Sequence, residues 1–364
     1  MKVPEHIKKI VPYPPGKPIE ELRRELGIPE PVKLASNENP LGPSPRALEA
    51  LKSALDQVNR YPDGSGYYLR KKISSKLGVP FEGIVLGNGS NEIIEMILKG
   101  FTEDGDNILV PQPSFLIYSI VAQIMAVDAR PVPLKDFRID LDAMAEMVDE
   151  RTRIVVINNP NNPTGTVISR GELERFLEKV PSDLIVVLDE AYIEFVEDGV
   201  CPRSTDYIDM EGPWIVGIRT FSKAYGLAGL RIGYSLSAPQ VADILNRVRQ
   251  PFNVNHLAQI AALAALDDED FLAKTVGLVL EERRGLYSGV EKLGLSYVPS
   301  ETNFFLIRLP VKARVVYERL LRKGVIARAM DSYGLDYYLR VSVGLPEENR
   351  IFLEKLSEVL SELG

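Results

Sequence analysis

Short, wholly apolar runs recur through the middle of the chain, each followed by a turn-rich segment and then by a stretch of helical periodicity. Ile84-Val85-Leu86, Asn107 to Val110, Ile154 to Ile157, Leu184 to Leu188 and Trp214 to Ile218 read as buried strands. Helical patterning over 91–101, 114–125 and 170–179 separates them. Strand and helix in alternation predict an α/β fold with a mostly parallel sheet and helices on both faces. Helices are predicted again at 240–248, 257–266 and, as one long element, 270–293. The tail reads as a separate α+β unit: strand 304–308, helix 311–323, strands 325–328 and 338–343, helix 347–363. At the other end, the prolines of Val11 to Pro18 exclude regular helix and central strand, so an extended arm is expected. A short helix over 19–26, an extended stretch over 33–45 and a helix over 44–55 follow. The expected organisation is an arm and small-domain segment (1–45), a large domain (46–260) and a small C-terminal domain (261–364), with no internal repeat.

Composition narrows the function. The 364 residues are 45% hydrophobic and 26% charged, ordinary values for a globular protein large enough for about two domains. A net charge of −8 and the lack of any Lys/Arg block argue against nucleic-acid binding. The single cysteine, Cys201, and two histidines, His6 and His256, offer no disulfide framework, metal spacing or histidine triad. No apolar run reaches the ~20 residues of a membrane helix, and Met1 to Ile10 is too polar for a signal peptide. A cytoplasmic location is expected.

The unusual residues lie where the predicted strands end, which is where open α/β sheets bind ligands. After the Trp214 run comes Thr220-Phe221-Ser222-Lys223, with Arg231 eight residues beyond the lysine. An amine in an apolar setting loses part of its proton affinity and gains nucleophilicity, and hydroxyls with a guanidinium suit a phosphate. Taken alone, such a Ser-Lys pair is far more often a surface lysine near an unrelated arginine. Gly87-Asn88-Gly89-Ser90-Asn91 opens directly into a helix, as an anion site or as a plain turn. Asn158 to Gly165 holds two Asn-Pro units, a rigid loop in which Asn162 could donate to a phenolate oxygen while the other asparagines serve turn chemistry. Asp189 ends an apolar strand, with Tyr192 three residues on. It caps the next helix or pairs with a buried cation such as a protonated pyridine.

Together, Asn161-Asn162-Pro163-Thr164-Gly165, Asp189-Glu190-Ala191-Tyr192 and Ser222-Lys223-Ala224-Tyr225-Gly226-Leu227-Ala228-Gly229-Leu230-Arg231-Ile232-Gly233 resemble the pyridoxal-phosphate aminotransferases of fold type I. The resemblance is nearest to the class II, histidinol-phosphate aminotransferase family and spans nearly the whole chain, including Leu34 to Pro43, Asn59 to Asp63, Arg249 to Asn255 and Leu339 to Gly344. It implies a covalent link from Lys223 to pyridoxal 5′-phosphate, after which the amine moves a proton between the substrate's α-carbon and the cofactor's C4′. Asp189 is implied to hold the pyridine nitrogen, and Asn162 and Tyr192 the ring oxygen. Ser90, Asn91, Thr220, Ser222 and Arg231 are implied to hold the phosphate, and Phe115 to stack on the ring, where many relatives have tyrosine. Tyr61 would reach the phosphate of a neighbouring subunit, so the expected unit is a homodimer. Arg340 would clamp the substrate α-carboxylate, or the corresponding polar end of histidinol phosphate, while Arg328 and Tyr13 contact the distal group. Ala329 departs from the acidic residue often found after this arginine.

The reaction implied is ping-pong: histidinol phosphate and 2-oxoglutarate give imidazole-acetol phosphate and glutamate, reversibly. Two rivals share the cofactor, a broad-specificity aromatic aminotransferase and a threonine-phosphate decarboxylase. A cofactor-binding regulator would need an appended DNA-binding module and a basic surface, for which the chain offers neither sequence nor charge.

Overall fold

A computed structural model describes residues 1–14 and 16–363. Pro15, within the expected arm, and Gly364, at the end of the expected small domain, lie outside the described residues. Strand β1 (Val32–Lys33) precedes the main sheet. That sheet comprises β2 (Ile84–Gly87), β3 (Asn107–Gln112), β4 (Asp128–Pro133), β5 (Thr152–Asn158), β6 (Ile185–Asp189), β7 (Trp214–Thr220) and β8 (Gly233–Ser237). Their order across the sheet is β2-β8-β7-β6-β5-β3-β4. All pairs are parallel except those of β8, which runs antiparallel to both β2 and β7.

The continuous apolar strands follow from burial on two sides. Val155, Ile157, Val186 and Leu188 face one hydrophobic core, and Ile154, Val156, Ile185 and Val187 face the other. Helices close both layers. Local chemistry sets their ends: Ser44 accepts a hydrogen bond from the Ala47 amide, with Pro45 in the first turn. Ser169 and Glu172 form a reciprocal capping box at the start of the 170–179 helix.

The long helix, Glu269–Lys292, changes cores. Its Val279, Leu286 and Val290 pack with β9 (Ser296–Val298), β10 (Phe304–Arg308), β11 (Val325–Ile326), β12 (Arg328–Met330), β13 (Leu335–Ser342) and the helices Ala313–Arg322 and Pro346–Ser361. Strands β12-β13-β10-β9 form an antiparallel sheet. β1 pairs with β11, so the segment before the large sheet is tied into this second unit.

Several elements differ from the sequence reading. The helix expected over 114–125 begins at Ile117, because Pro113 to Leu116 forms the loop after β3 that carries Phe115. The strand expected over 325–328 is two short strands, one paired with β1 and one with β13. β4, β8, β9 and the helices Tyr67–Leu77 and Leu141–Met147 were not anticipated. Among the described residues, no helix is long and apolar enough to cross a membrane, and no group of three or more His, Cys, Asp or Glu converges on a metal position.

Candidate active site

The parallel register aligns the carboxyl ends of β5, β6 and β7. Asn158 sits opposite Asp189, and Asp189 opposite Ile218, two residues before Thr220. The loops that leave these strands, with the start of the Ser90–Phe101 helix, surround a cavity of about 380 Å³. Every expected site residue lines it except Tyr61: Tyr13, Ser90, Asn91, Phe115, Asn162, Asp189, Tyr192, Thr220, Ser222, Lys223, Arg231, Arg328 and Arg340. Tyr61 is 83% exposed and stacks on Phe252, with ring centroids 4.8 Å apart, away from its own chain's cavity.

At the centre, the Lys223 Nζ donates to the Ser36 carbonyl over 3.4 Å and lies 5.6 Å from the Tyr192 ring centroid. Burial lowers its pKa to about 8, and Arg340 and Arg231 push the same way. Such an amine is about half unprotonated one unit above neutrality, and the unprotonated form is the state a nucleophile requires. Asp189 is almost wholly buried. One of its oxygens accepts from the Tyr118 hydroxyl at 2.6 Å and the other from the Ala191 amide at 3.1 Å. Burial raises its pKa to about 6 in spite of these hydrogen bonds. Among the described residues no guanidinium or ammonium is hydrogen-bonded to it, so it is a buried carboxylate held by neutral donors alone.

At one end of the cavity the chain offers donors for an anion. Gly89 precedes the 90–101 helix at φ 77°, and a Cβ built there would lie 2.6 Å from an Arg231 Nη. A Cβ at Gly233 would lie 2.8 Å from the Ser90 amide nitrogen. Both glycines therefore let Arg231 and the free amides of the helix start face one space. The Thr220 and Ser222 hydroxyls, 3.0 Å apart, close its side. Free amides, two hydroxyls and a guanidinium match a phosphate dianion.

At the other end two arginines stand directly opposite one another, Arg328 on β12 and Arg340 on β13. Both are buried. Arg340 donates to Asn162 Oδ1 at 2.6 Å and to the Ala35 carbonyl at 2.9 Å, and its Nε has no partner. Arg328 donates to the Pro14 carbonyl at 2.9 Å, its guanidinium 5.3 Å from the Tyr13 ring centroid. Like charges in direct cross-strand register oppose folding, all the more when buried. Anionic groups entering the cavity would relieve that repulsion.

Three contributors escaped the sequence reading. Asn158, taken there as turn chemistry, lines the cavity and donates to Tyr118 at 2.7 Å. Tyr118, within the helix expected over 114–125 and not singled out there, bonds Asp189. Asn37 donates to the Tyr192 hydroxyl at 3.0 Å and accepts from Ser342 at 3.0 Å. The Tyr192 pKa is raised, first by burial, so its phenol stays protonated. Asn37 stood inside the Leu34 to Pro43 motif, which was the signal available for it in the sequence, and its backbone is left-handed (φ 55°).

The family described as "Aminotransferase class I and II" matches residues 29–356. The histidinol-phosphate aminotransferase of Moorella thermoacetica is 48% identical over 360 residues, 99% of this chain and 93% of that one. Histidinol-phosphate aminotransferase 2 of Pseudomonas aeruginosa is 49% identical over 358 residues, 98% of this chain and 96% of its own. The solved histidinol-phosphate aminotransferase of Sinorhizobium meliloti in complex with pyridoxal-5′-phosphate superposes with a TM-score of 0.92 at 27% identity, covering 100% of this chain and 98% of that one. The fold is thus that of the type I aminotransferases, a mixed seven-stranded sheet with a small antiparallel C-terminal sheet. The chain belongs to the class I and II aminotransferases, and within them to the histidinol-phosphate aminotransferase family.

Proposed function

We propose that the chain transfers the amino group of L-histidinol phosphate to 2-oxoglutarate, giving imidazole-acetol phosphate and glutamate, with pyridoxal 5′-phosphate as cofactor. The full-length likeness to histidinol-phosphate aminotransferases supports substrate and cofactor together. The observation that carries the residue roles is the placing of a low-pKa amine, an uncompensated buried carboxylate and two facing arginines in one cavity.

When bound, the cofactor supplies a cationic ring that draws electrons from the substrate carbon. Lys223 Nζ is the point of covalent attachment and then moves the proton taken from the substrate's α-carbon. Asp189 keeps a proton on the ring nitrogen by offering it a buried anion. Tyr192 donates its hydroxyl, and Asn162 its side-chain amide, to the ring oxygen. Asn162 is suited to this, because Arg340 already occupies its carbonyl oxygen and leaves the NH₂ free to donate. Ser90, Asn91, Thr220, Ser222 and Arg231 hold the phosphate, and Phe115 packs on the ring. Arg340 binds the substrate's carboxylate or its counterpart in histidinol phosphate, and Arg328 with Tyr13 binds the distal group. Two facing arginines suit the phosphate dianion of histidinol phosphate and the two carboxylates of glutamate better than the single carboxylate of an aromatic donor, which sets this reading above the aromatic aminotransferase.

We propose a homodimer in which Tyr61 completes the neighbouring phosphate site. Its exposure, and that of Tyr67, Tyr68 and Phe252 nearby in the sequence or stacked on it, supports an interface there. We also propose the domain division 1–45, 46–260 and 261–364, supported by the change of core between Leu266 and Val279. A cytoplasmic location is proposed as well, in keeping with the lone, buried Cys201.

A donor panel with 2-oxoglutarate tests the substrate. Histidinol phosphate should exceed phenylalanine and tyrosine in kcat/KM by at least about 100-fold, and threonine phosphate should release no carbon dioxide. Parity with the aromatic donors would favour the aromatic aminotransferase, and carbon dioxide release the decarboxylase.

A further inference from the structure

Tyr118 lies on the Ile117–Ile124 helix, 1% exposed, in the core on the Val187 side of the sheet. A phenol buried this deeply needs one acceptor, and any backbone carbonyl would serve. It is aimed instead at Asp189 Oδ2, at 2.6 Å. Its direction is fixed from behind, because Asn158 Nδ2 donates to the same oxygen at 2.7 Å. With that lone pair taken by Asn158, the hydroxyl proton is committed to the carboxylate. Asn158 is fixed in turn, since its carbonyl oxygen accepts the Asn162 amide at 2.6 Å. Phe115, the residue assigned to the face of the ring, packs edge-on against Tyr118 with centroids 5.8 Å apart. The unit is held by these contacts, and it bears on Asp189, a buried carboxylate of the cavity hydrogen-bonded only by neutral donors.

A hydrogen bond given to a carboxylate favours its ionised form. Asp189 and a ring nitrogen facing it would share one proton, and whichever is the weaker base loses it. We infer that Tyr118, steered by Asn158, is a positioning residue for the reaction: it holds Asp189 ionised and oriented, so that the shared proton resides on the cofactor's ring nitrogen. The inference rests on the cofactor reading above and adds to it a residue that touches neither cofactor nor substrate.

The test uses holoenzyme loaded with cofactor labelled with ¹⁵N in the ring. In the native protein the ring-nitrogen resonance lies at the protonated position. In Tyr118→Phe it moves toward the unprotonated position, and kcat falls roughly 10- to 100-fold while KM for the donor changes less than about threefold, the loss expected for one hydrogen bond to a charged group. Asn158→Ala keeps the phenol but frees its direction, and moves the resonance the same way by less. An unmoved resonance in a folded Tyr118→Phe holoenzyme overturns the inference, even if activity drops, because packing alone would then explain the loss. Should that variant fail to fold, an unmoved resonance in Asn158→Ala overturns it equally. Failure of the cofactor reading looks different: the native protein would bind no labelled cofactor at all.

Discussion

Asp189 and Glu190 are neighbours in sequence, both buried, and they leave the end of β6 toward opposite faces of the sheet. Glu190 is fully met by the chain. Its Oε2 takes the Arg219 Nε at 2.8 Å and the Ser204 hydroxyl at 2.7 Å, and its Oε1 takes the Ser204 amide at 2.5 Å. Asp189 has only neutral donors, Tyr118 and the Ala191 amide. A buried carboxylate with a cation is a structural device, because removing either partner strands a charge. A buried carboxylate with neutral donors alone, facing a cavity, is incomplete in the chain by itself. On the proposed reading, a protonated pyridine would be that carboxylate's partner on the cavity side of the sheet.

Attacking the cavity side at its amine has the largest expected effect. Lys223→Ala should lower transamination by more than about 1000-fold and remove the cofactor's visible absorption band, with the fold retained in circular dichroism. A variant that keeps band and turnover would detach Lys223 from the chemistry. The opposite face should respond in stability. Glu190→Gln leaves the Arg219 guanidinium buried without its anion, at a cost of about 3–5 kcal/mol in urea unfolding of the apoprotein. An unchanged unfolding midpoint would mean the pair is better solvated than its burial indicates.

Asp189 should behave in the reverse sense in the apoprotein. Its unfolded pKa is 3.8 and its folded one about 6. Between those values the folded chain holds a proton that the unfolded chain has released. Its contribution to stability is therefore complete below pH 3.8, declines as pH rises toward 6, and is lost above that. The decline is on the order of 2–3 kcal/mol and disappears in Asp189→Asn, which is as stable as the native apoprotein or more so at pH 7. Parallel pH–stability curves for the two proteins would contradict this. The smallest effect is one of selectivity. Arg328→Ala should reduce kcat/KM for histidinol phosphate and glutamate roughly 10-fold more than for phenylalanine, since the first carries a phosphate dianion and the second an extra carboxylate, where phenylalanine has a single carboxylate. Equal losses would take Arg328 out of the distal site.

Much of the cavity side was legible because its residues stand at the ends of apolar strands, where a lysine, a carboxylate and a serine pair are conspicuous. The apolar strands β5, β6 and β7 were equally plain. β4 was not, since Asp128-Ala129-Arg130-Pro131-Val132-Pro133 is an edge strand whose prolines and charges are tolerated only there. β8, Gly233-Tyr234-Ser235-Leu236-Ser237, is buried between β2 and β7, yet its serines and glycine hide it. Tyr118 and Asn158 were missed for a different reason. A helix-face tyrosine and a loop asparagine carry no sign of what they touch, and their meeting with Asp189 depends on the register of three separate elements. Tyr61 could be named from the resemblance alone, because nothing within its own chain calls for it.

The account depends on Lys223 carrying the cofactor beside Asp189. Borohydride reduction of the holoenzyme followed by peptide mass analysis tests this directly. The account predicts one pyridoxyl-phosphate adduct per chain, on the peptide that contains Lys223. An adduct on any other lysine, or none, would contradict it.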